Sequence, residues 1–124
     1  MRISKRGDVN LPENWYSAIE KSKEKARKLM NQVIAVDLNT SIIVGRLEDV
    51  SLDKLFRIQY PFCKLTLSNS KKYRTDEKLD ISSMGDQIAF VNKPQMIMDM
   101  TELSTKFPKI HEDTHVDIRR GRFG

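Results

Sequence analysis

The sequence predicts an α+β fold: a small antiparallel sheet or barrel of about five strands, with an amino-terminal amphipathic helix and a short carboxyl-terminal helix. Three observations lead there. Short apolar runs of β type recur in the middle of the chain: Ser41-Ile-Ile-Val-Gly-Arg-Leu47, Phe62-Cys-Lys-Leu-Thr-Leu67 and Gln87-Ile-Ala-Phe-Val91. Turn-forming or charged residues fill each gap, as they do between strands. Ahead of the runs lies a segment with helical spacing of its apolar residues.

That helix is expected over residues 13–32, after the turn Leu11-Pro-Glu-Asn14. Trp15, Ile19, Ala26, Met30 and Val33 repeat at helical spacing, while Glu20, Lys21, Glu24, Lys25 and Lys28 cover the other side. The pattern is that of a helix with one buried stripe, and Trp15 reads as a core anchor. Residues 33–38 and 41–47 alternate around Asn39-Thr40 and predict a hairpin. Residues 48–53 read as an acidic loop. A third strand is expected at residues 55–60, with Phe56, Ile58 and Tyr60 on one side and Leu55, Arg57 and Gln59 on the other. Pro61 then interrupts it.

In the following strand Cys63, Leu65 and Leu67 point one way and Phe62, Lys64 and Thr66 the other. Residues 68–76 read as a polar loop, residues 78–82 as a weak strand and residues 87–92 as a stronger one. Met96, Met100 and Leu103 predict a short helix, although Met96, Met98 and Met100 equally fit a strand. The domain plan is a basic arm over 1–12, one α+β domain over 13–103, and a basic, extended or disordered tail over 104–124.

With 39% apolar and 31% charged residues, a modest core with polar extensions is expected. The net charge of +5 is uneven: residues 33–67 balance, while the arm, the first helix, residues 71–78 and the tail hold the excess. Such a distribution suits nucleic acid, an anionic membrane or an acidic partner. No apolar run is long enough to span a bilayer, and the basic start lacks the apolar run of a secretory signal. A cytoplasmic or nuclear setting is expected, which for a viral product is the host cell interior. Cys63, the only cysteine, excludes an internal disulfide and reads as a buried hydrophobe.

Several motifs touch on chemistry. His111-Glu-Asp-Thr-His115 satisfies the HExxH pattern, in which two histidines on one helical face bind zinc and the glutamate polarises its water. Here it lies beyond Pro108 with few residues following, so no catalytic metal is expected. Asp80-Ile-Ser-Ser-Met-Gly85 copies the DxSxxG element of cyclic-dinucleotide-binding PilZ domains but lacks their upstream RxxxR pair. With no nucleophile, base and orienting acid placed together, neither an enzyme nor a cofactor is expected.

The candidate site is a basic and aromatic surface. Phe62, Lys64, Lys71, Lys72, Tyr73 and Arg74 are expected on one strand and its following loop, with Arg57 and Tyr60 extending them. Arg119, Arg120 and Arg122 in the closing Arg119-Arg-Gly-Arg-Phe-Gly124 would add phosphate contacts. Cations that track phosphates and rings that stack on bases suit single-stranded nucleic acid.

The stretch 41–93 resembles single-stranded DNA-binding proteins of the OB-fold type. The resemblance rests on an apolar strand ending in Gly-Arg-Leu, as in Ile42-Ile-Val-Gly-Arg-Leu47, then a second alternating strand (residues 62–67), a charged hairpin loop (71–78) and a third strand (88–91). It implies an OB-like barrel and a non-enzymatic role in binding single-stranded DNA or RNA. The second reading is a structural or interaction protein: a viral matrix-like or accessory protein, a homo-oligomer, or a small subunit of a larger assembly.

Overall fold

The computed structural model describes residues 13–54, 61–74 and 81–119. Helix α1 (Glu13–Lys28) is followed by strands β1 (Val33–Asp37), β2 (Ser41–Lys54), β3 (Pro61–Arg74) and β4 (Ile81–Val91). A 3-10 turn (Pro94–Met96), the two-residue strand β5 (Ile97–Met98), and helices α2 (Met100–Lys106) and α3 (Pro108–Arg119) complete the chain. The α+β expectation holds. The strands form an antiparallel sheet in the order β4-β3-β2-β1-β5, which among the described residues is an open sheet with two edges.

Helix α1 takes the expected stripe and fills its gap with Ser22. This residue is buried, and its hydroxyl donates to the Ala18 carbonyl at 2.7 Å, so the small polar side chain is satisfied within the helix. The helix stops short of residue 32. Asn31 adopts a left-handed φ of 65°, and its N–H donates to the Leu47 carbonyl while the Leu47 N–H donates to that of Gln32. Asparagine tolerates this conformation better than most side chains. The end of α1 is thus stitched to β2.

The hairpin at Asn39-Thr40 forms as expected. Asn39 is left-handed (φ 77°), and its N–H donates to the Asp37 carboxylate at 2.8 Å. Beyond it the strands run much further than the apolar runs suggest. The acidic residues 48–53 belong to β2, and the polar residues 68–74 to β3, not to loops. Residues 81 and 82 join the stronger run as one strand, β4. The expected strand at 55–60 lies outside the described residues.

Each face of the sheet has its own core. On the first face Ile34, Val36, Ile43, Leu47, Cys63, Leu65, Leu67, Ala89 and Val91 pack with Ala26 of α1. On the second, Ala35, Ile42, Val44, Tyr73 and Met98 pack with Leu103 of α2 and Ile110 of α3. The long strands move between these cores through bulges. Opposite Val44 and Arg46, β3 carries one extra residue between Ser68 and Lys71, with Asn69 left-handed (φ 49°); β2 carries another between Leu47 and Asp49. Polar groups fix the spot: the Asn69 N–H donates to Asp86 at 3.2 Å, Ser68 donates to Glu48 at 2.5 Å, and Ser70 donates to the Gly85 carbonyl.

The bulges also bend the sheet. Only residues 92–96 separate β4 from β5, at opposite edges, and three of these form the 3-10 turn. Such a link reaches about 16 Å, less than the roughly 19 Å across five flat strands. The sheet is therefore curled.

The end of the chain departs from expectation. The helix foreseen around Met96 begins instead at Met100, after the 3-10 turn and β5. Asp99 caps it and forms a capping box with Glu102, whose carboxylate also meets Lys25 of α1 at 3.3 Å. Residues expected as an extended tail form α3, with Ile110 and Thr114 buried. Among the described residues no helix is long and apolar enough to cross a membrane.

Gly45 lies where the bulge of β3 crosses β2. A Cβ there would stand 2.6 Å from the Cβ of Ser70 and 3.0 Å from the Ser68 carbonyl oxygen. Gly45→Ala should cost about 1–3 kcal/mol through overpacking, read as a lowered midpoint in urea denaturation; an unchanged midpoint would show that the crossing relaxes freely.

Candidate nucleic-acid interface

The extra residue at the β3 bulge decides where the expected site residues go. Unbroken alternation would place Phe62, Lys64, Lys72 and Arg74 together. The observed register pairs Lys64 with Phe90 of β4, Lys71 with Val44 of β2, Tyr73 with Ile42, and Lys72 with Ile43. Ile42 and Val44 belong to the second core and Ile43 to the first. Phe62, Lys64, Thr66, Lys71 and Tyr73 therefore line the second face, and Lys72 and Arg74 the first.

This overturns the expectation of one exposed loop patch. Tyr73 is fully buried and Lys71 only 4% exposed, because α3 lies over both. Asp113 on α3 accepts a hydrogen bond from the Tyr73 hydroxyl at 2.5 Å and lies 3.4 Å from the Lys71 Nζ. In this arrangement neither residue offers itself to a base or a phosphate. Lys72 is half-buried and Arg74 exposed. Arg57, Tyr60, Arg120 and Arg122 lie outside the described residues; Arg119 ends α3, and its side chain lies outside them too.

The near half of the row is different. Among the described residues no helix core extends over Phe62, Lys64 and Thr66, and all three are partly exposed. Beside them on β4, Phe90 pairs with Lys64 and Ile88 with Thr66. Further along the same strand, Met84 pairs with Lys71 and Ile81 with Tyr73. Ile88 is 52% and Met84 58% exposed, so β4 carries an apolar stripe on an edge strand. The Phe62 ring meets Trp15 of α1 edge-on, with centroids 5.4 Å apart, which fixes the start of β3 against the helix. Lys93 is exposed just beyond the end of β4.

Phe90 and Ile88 are not part of the expected site, because Ile88-Ala-Phe-Val91 is apolar at every position and its sequence marks neither side as exposed. Only the topology shows that one side is open. Asp113 was likewise read as part of HEDTH. The motif is helical after all, but its aspartate points to Tyr73 and Lys71, and among the described residues no three His, Cys, Asp or Glu side chains are grouped to hold a metal.

Cys63 is buried in the first core, as expected. Burial pushes its thiol up from 9.0 to about 11, with Lys23 and Arg27 pulling weakly the other way. Burial, followed by the hydrogen bond to Asp113 and its charge, also raises the Tyr73 hydroxyl. Comparison with protein-family models, curated proteins and solved structures finds no match for this chain.

Both raised groups are held neutral by folding. The Cys63 contribution is intact well below pH 9, the midpoint of the unfolded thiol, and is lost as the pH climbs through about 11. For Cys63 this corresponds to about 3 kcal/mol. The melting temperature should fall steeply over that range, and less steeply in Cys63→Ala; equal slopes would show that the thiol does not contribute.

Proposed function

We propose that the protein is a non-enzymatic module that binds single-stranded nucleic acid along the second face of β3. The observation that carries this reading is the pairing of Lys64 with the partly exposed Phe90 across β3 and β4, beside Phe62, whose ring is held edge-on by Trp15, on a part of the face outside the second core. A lysine paired across the strands with an aromatic residue supplies a phosphate contact beside a stacking surface. The β2–β3 connection at the same end carries Arg57 and Tyr60 in its sequence, and Lys93 follows β4 there. The net charge of +5 adds a non-specific attraction that brings polyanions to the surface. A cytoplasmic or nuclear setting, where such ligands occur, fits this reading.

A second reading, as an interaction protein or a subunit of an assembly, draws support from β4. Among the described residues β4 is an edge strand with exposed Ile81, Met84 and Ile88, and sheet edges with apolar side chains are used for pairing with other chains.

Fluorescence anisotropy with labelled oligothymidylate and oligouridylate, titrated with salt, tests the first reading. Affinity should fall linearly with salt on logarithmic axes. Phe90→Ala should weaken it roughly 5- to 100-fold, the range of one lost base stack, and Lys64→Glu should weaken it and flatten the salt slope. Undetectable binding at low salt would rule the reading out. Light scattering of the wild type and Met84→Lys tests the second: a monomer in both cases argues against it.

A further inference from the structure

The row of side chains on the second face of β3 runs Phe62, Lys64, Thr66, Ser68, Lys71, Tyr73, and its two halves differ in one respect. The first half is partly exposed and lies outside the second core, with Phe62 edge-on to Trp15, and the second lies under α3. From Phe62 to Tyr73 the strand extends about 35 Å, so the covered half repeats, further along one track, the pairing of aromatic ring and lysine seen in the open half.

What covers it is a carboxylate. Asp113 accepts a hydrogen bond from the Tyr73 hydroxyl at 2.5 Å and sits 3.4 Å from the Lys71 ammonium. An anionic oxygen held by a phenol and a lysine occupies the position that a phosphate oxygen would take, and both anions are acceptors of charge-assisted hydrogen bonds. The Lys71 side chain is 6% exposed, whereas that of Asp113 is 39% exposed, so the acidic partner stands at the solvent rim of the contact. Met84 and Ile81, the β4 neighbours of Lys71 and Tyr73, are themselves exposed along that rim.

The attachment of α3 suits a cover that can lift. It is joined to α2 through Phe107, a non-helical residue (φ −137°, ψ 71°), immediately before Pro108. A proline at the first helical position starts a helix without continuing the previous one. The described apolar anchor of α3 in the second core is Ile110, beside the buried Thr114, whose hydroxyl is turned back to the His111 carbonyl at 2.9 Å. The α2 end of the same core is tied down by the capping box and by Lys25, neither of which involves α3.

We infer that α3 is an autoinhibitory helix, in which Asp113 competes with the phosphates of a single-stranded nucleic acid for Lys71 and Tyr73. The inference rests on the function proposed above and adds its regulation: a bound strand that displaces α3 gains the second half of the row, and anything that holds α3 down confines binding to the first half.

Asp113→Asn keeps the side-chain shape and removes the charge, and anisotropy with labelled oligothymidylate at one fixed low salt reads the effect in the full chain. The variant should bind about tenfold tighter, with a salt slope steeper by about 0.7, the increment for one added phosphate contact on a single strand. Lys71→Gln in the Asp113→Asn background should return both values to those of the wild type, and amide exchange over residues 108–119 should be faster in Asp113→Asn. If circular dichroism shows that Asp113→Asn does not fold, Asp113→Ala, which removes the competing carboxylate and leaves Lys71 and Tyr73 intact, should bind more tightly than the wild type. Equal affinity and slope in the wild type and the folded variant, or a Lys71→Gln change without effect in the double variant, overturns the autoinhibition while leaving the nucleic-acid reading in place. Absence of binding by the wild type and every variant overturns that reading and the inference with it.

Discussion

The architecture depends on the crossing of Gly45 with the bulge at Asn69. A strand of fourteen residues with strict alternation would commit every second side chain to one face along its whole length. The single extra residue in β3 exchanges the faces halfway, so that Leu67 points into the first core and Tyr73 into the second. Gly45 makes this geometrically possible, since β3 approaches it too closely for any side chain. The surrounding serines, Asp86 and Glu48 hydrogen-bond around the interruption, so that the kink is not left with orphaned polar groups.

The division of labour between the helices follows from that exchange. Helix α1 covers the first face, and its carboxyl end is bonded into β2 at Leu47, next to the bulges. Helices α2 and α3 cover only the part of the second face that the exchange makes apolar: Ile42, Val44 and Tyr73, with Ala35 and Met98. Beyond the exchange the second face mixes Lys64, Thr66 and Ser51 with the partly exposed Phe62 and Phe90 and the exposed Ile88. The open half of the sheet and the covered half are thus two outcomes of the same backbone irregularity, and the candidate interface is the open one.

This also explains which parts of the molecule were legible in the sequence. Helix α1, the Asn39-Thr40 hairpin and the strands around Leu65 and Ala89 were read correctly, because each carries a complete local signal of period or turn chemistry. Residues 48–53 and 68–74 read as loops in the sequence, because half-exposed strand residues are polar and their partners lie far away in sequence. Of the candidate site, Phe62 and Lys64 were placed correctly relative to each other. Lys71 and Tyr73 were assigned to the surface because neither the bulge that redirects them nor the helix that buries them has a local signature. The described part of α3 offers little apolar periodicity: Ile110 is flanked by His111, Glu112 and Asp113, and its buried neighbour one turn on is a threonine.

The curled sheet has a consequence for how the chain acquires its structure. Strands β1 to β4 form a meander in which each strand pairs with the next, so their contacts close short stretches of chain. The pairing of β5 with β1 joins Val36 to Ile97, across the whole meander. The entropy of closing a loop rises with its length, and folding slows as contacts become less local. Once the bulges have bent β2, β3 and β4, however, the end of β4 already stands near β1, and most of that closure has been achieved by neighbouring pairings. The irregularity that aims the side chains therefore also brings the two most distant strands within reach of one another, turning a long-range search into the last short step of a sequential one.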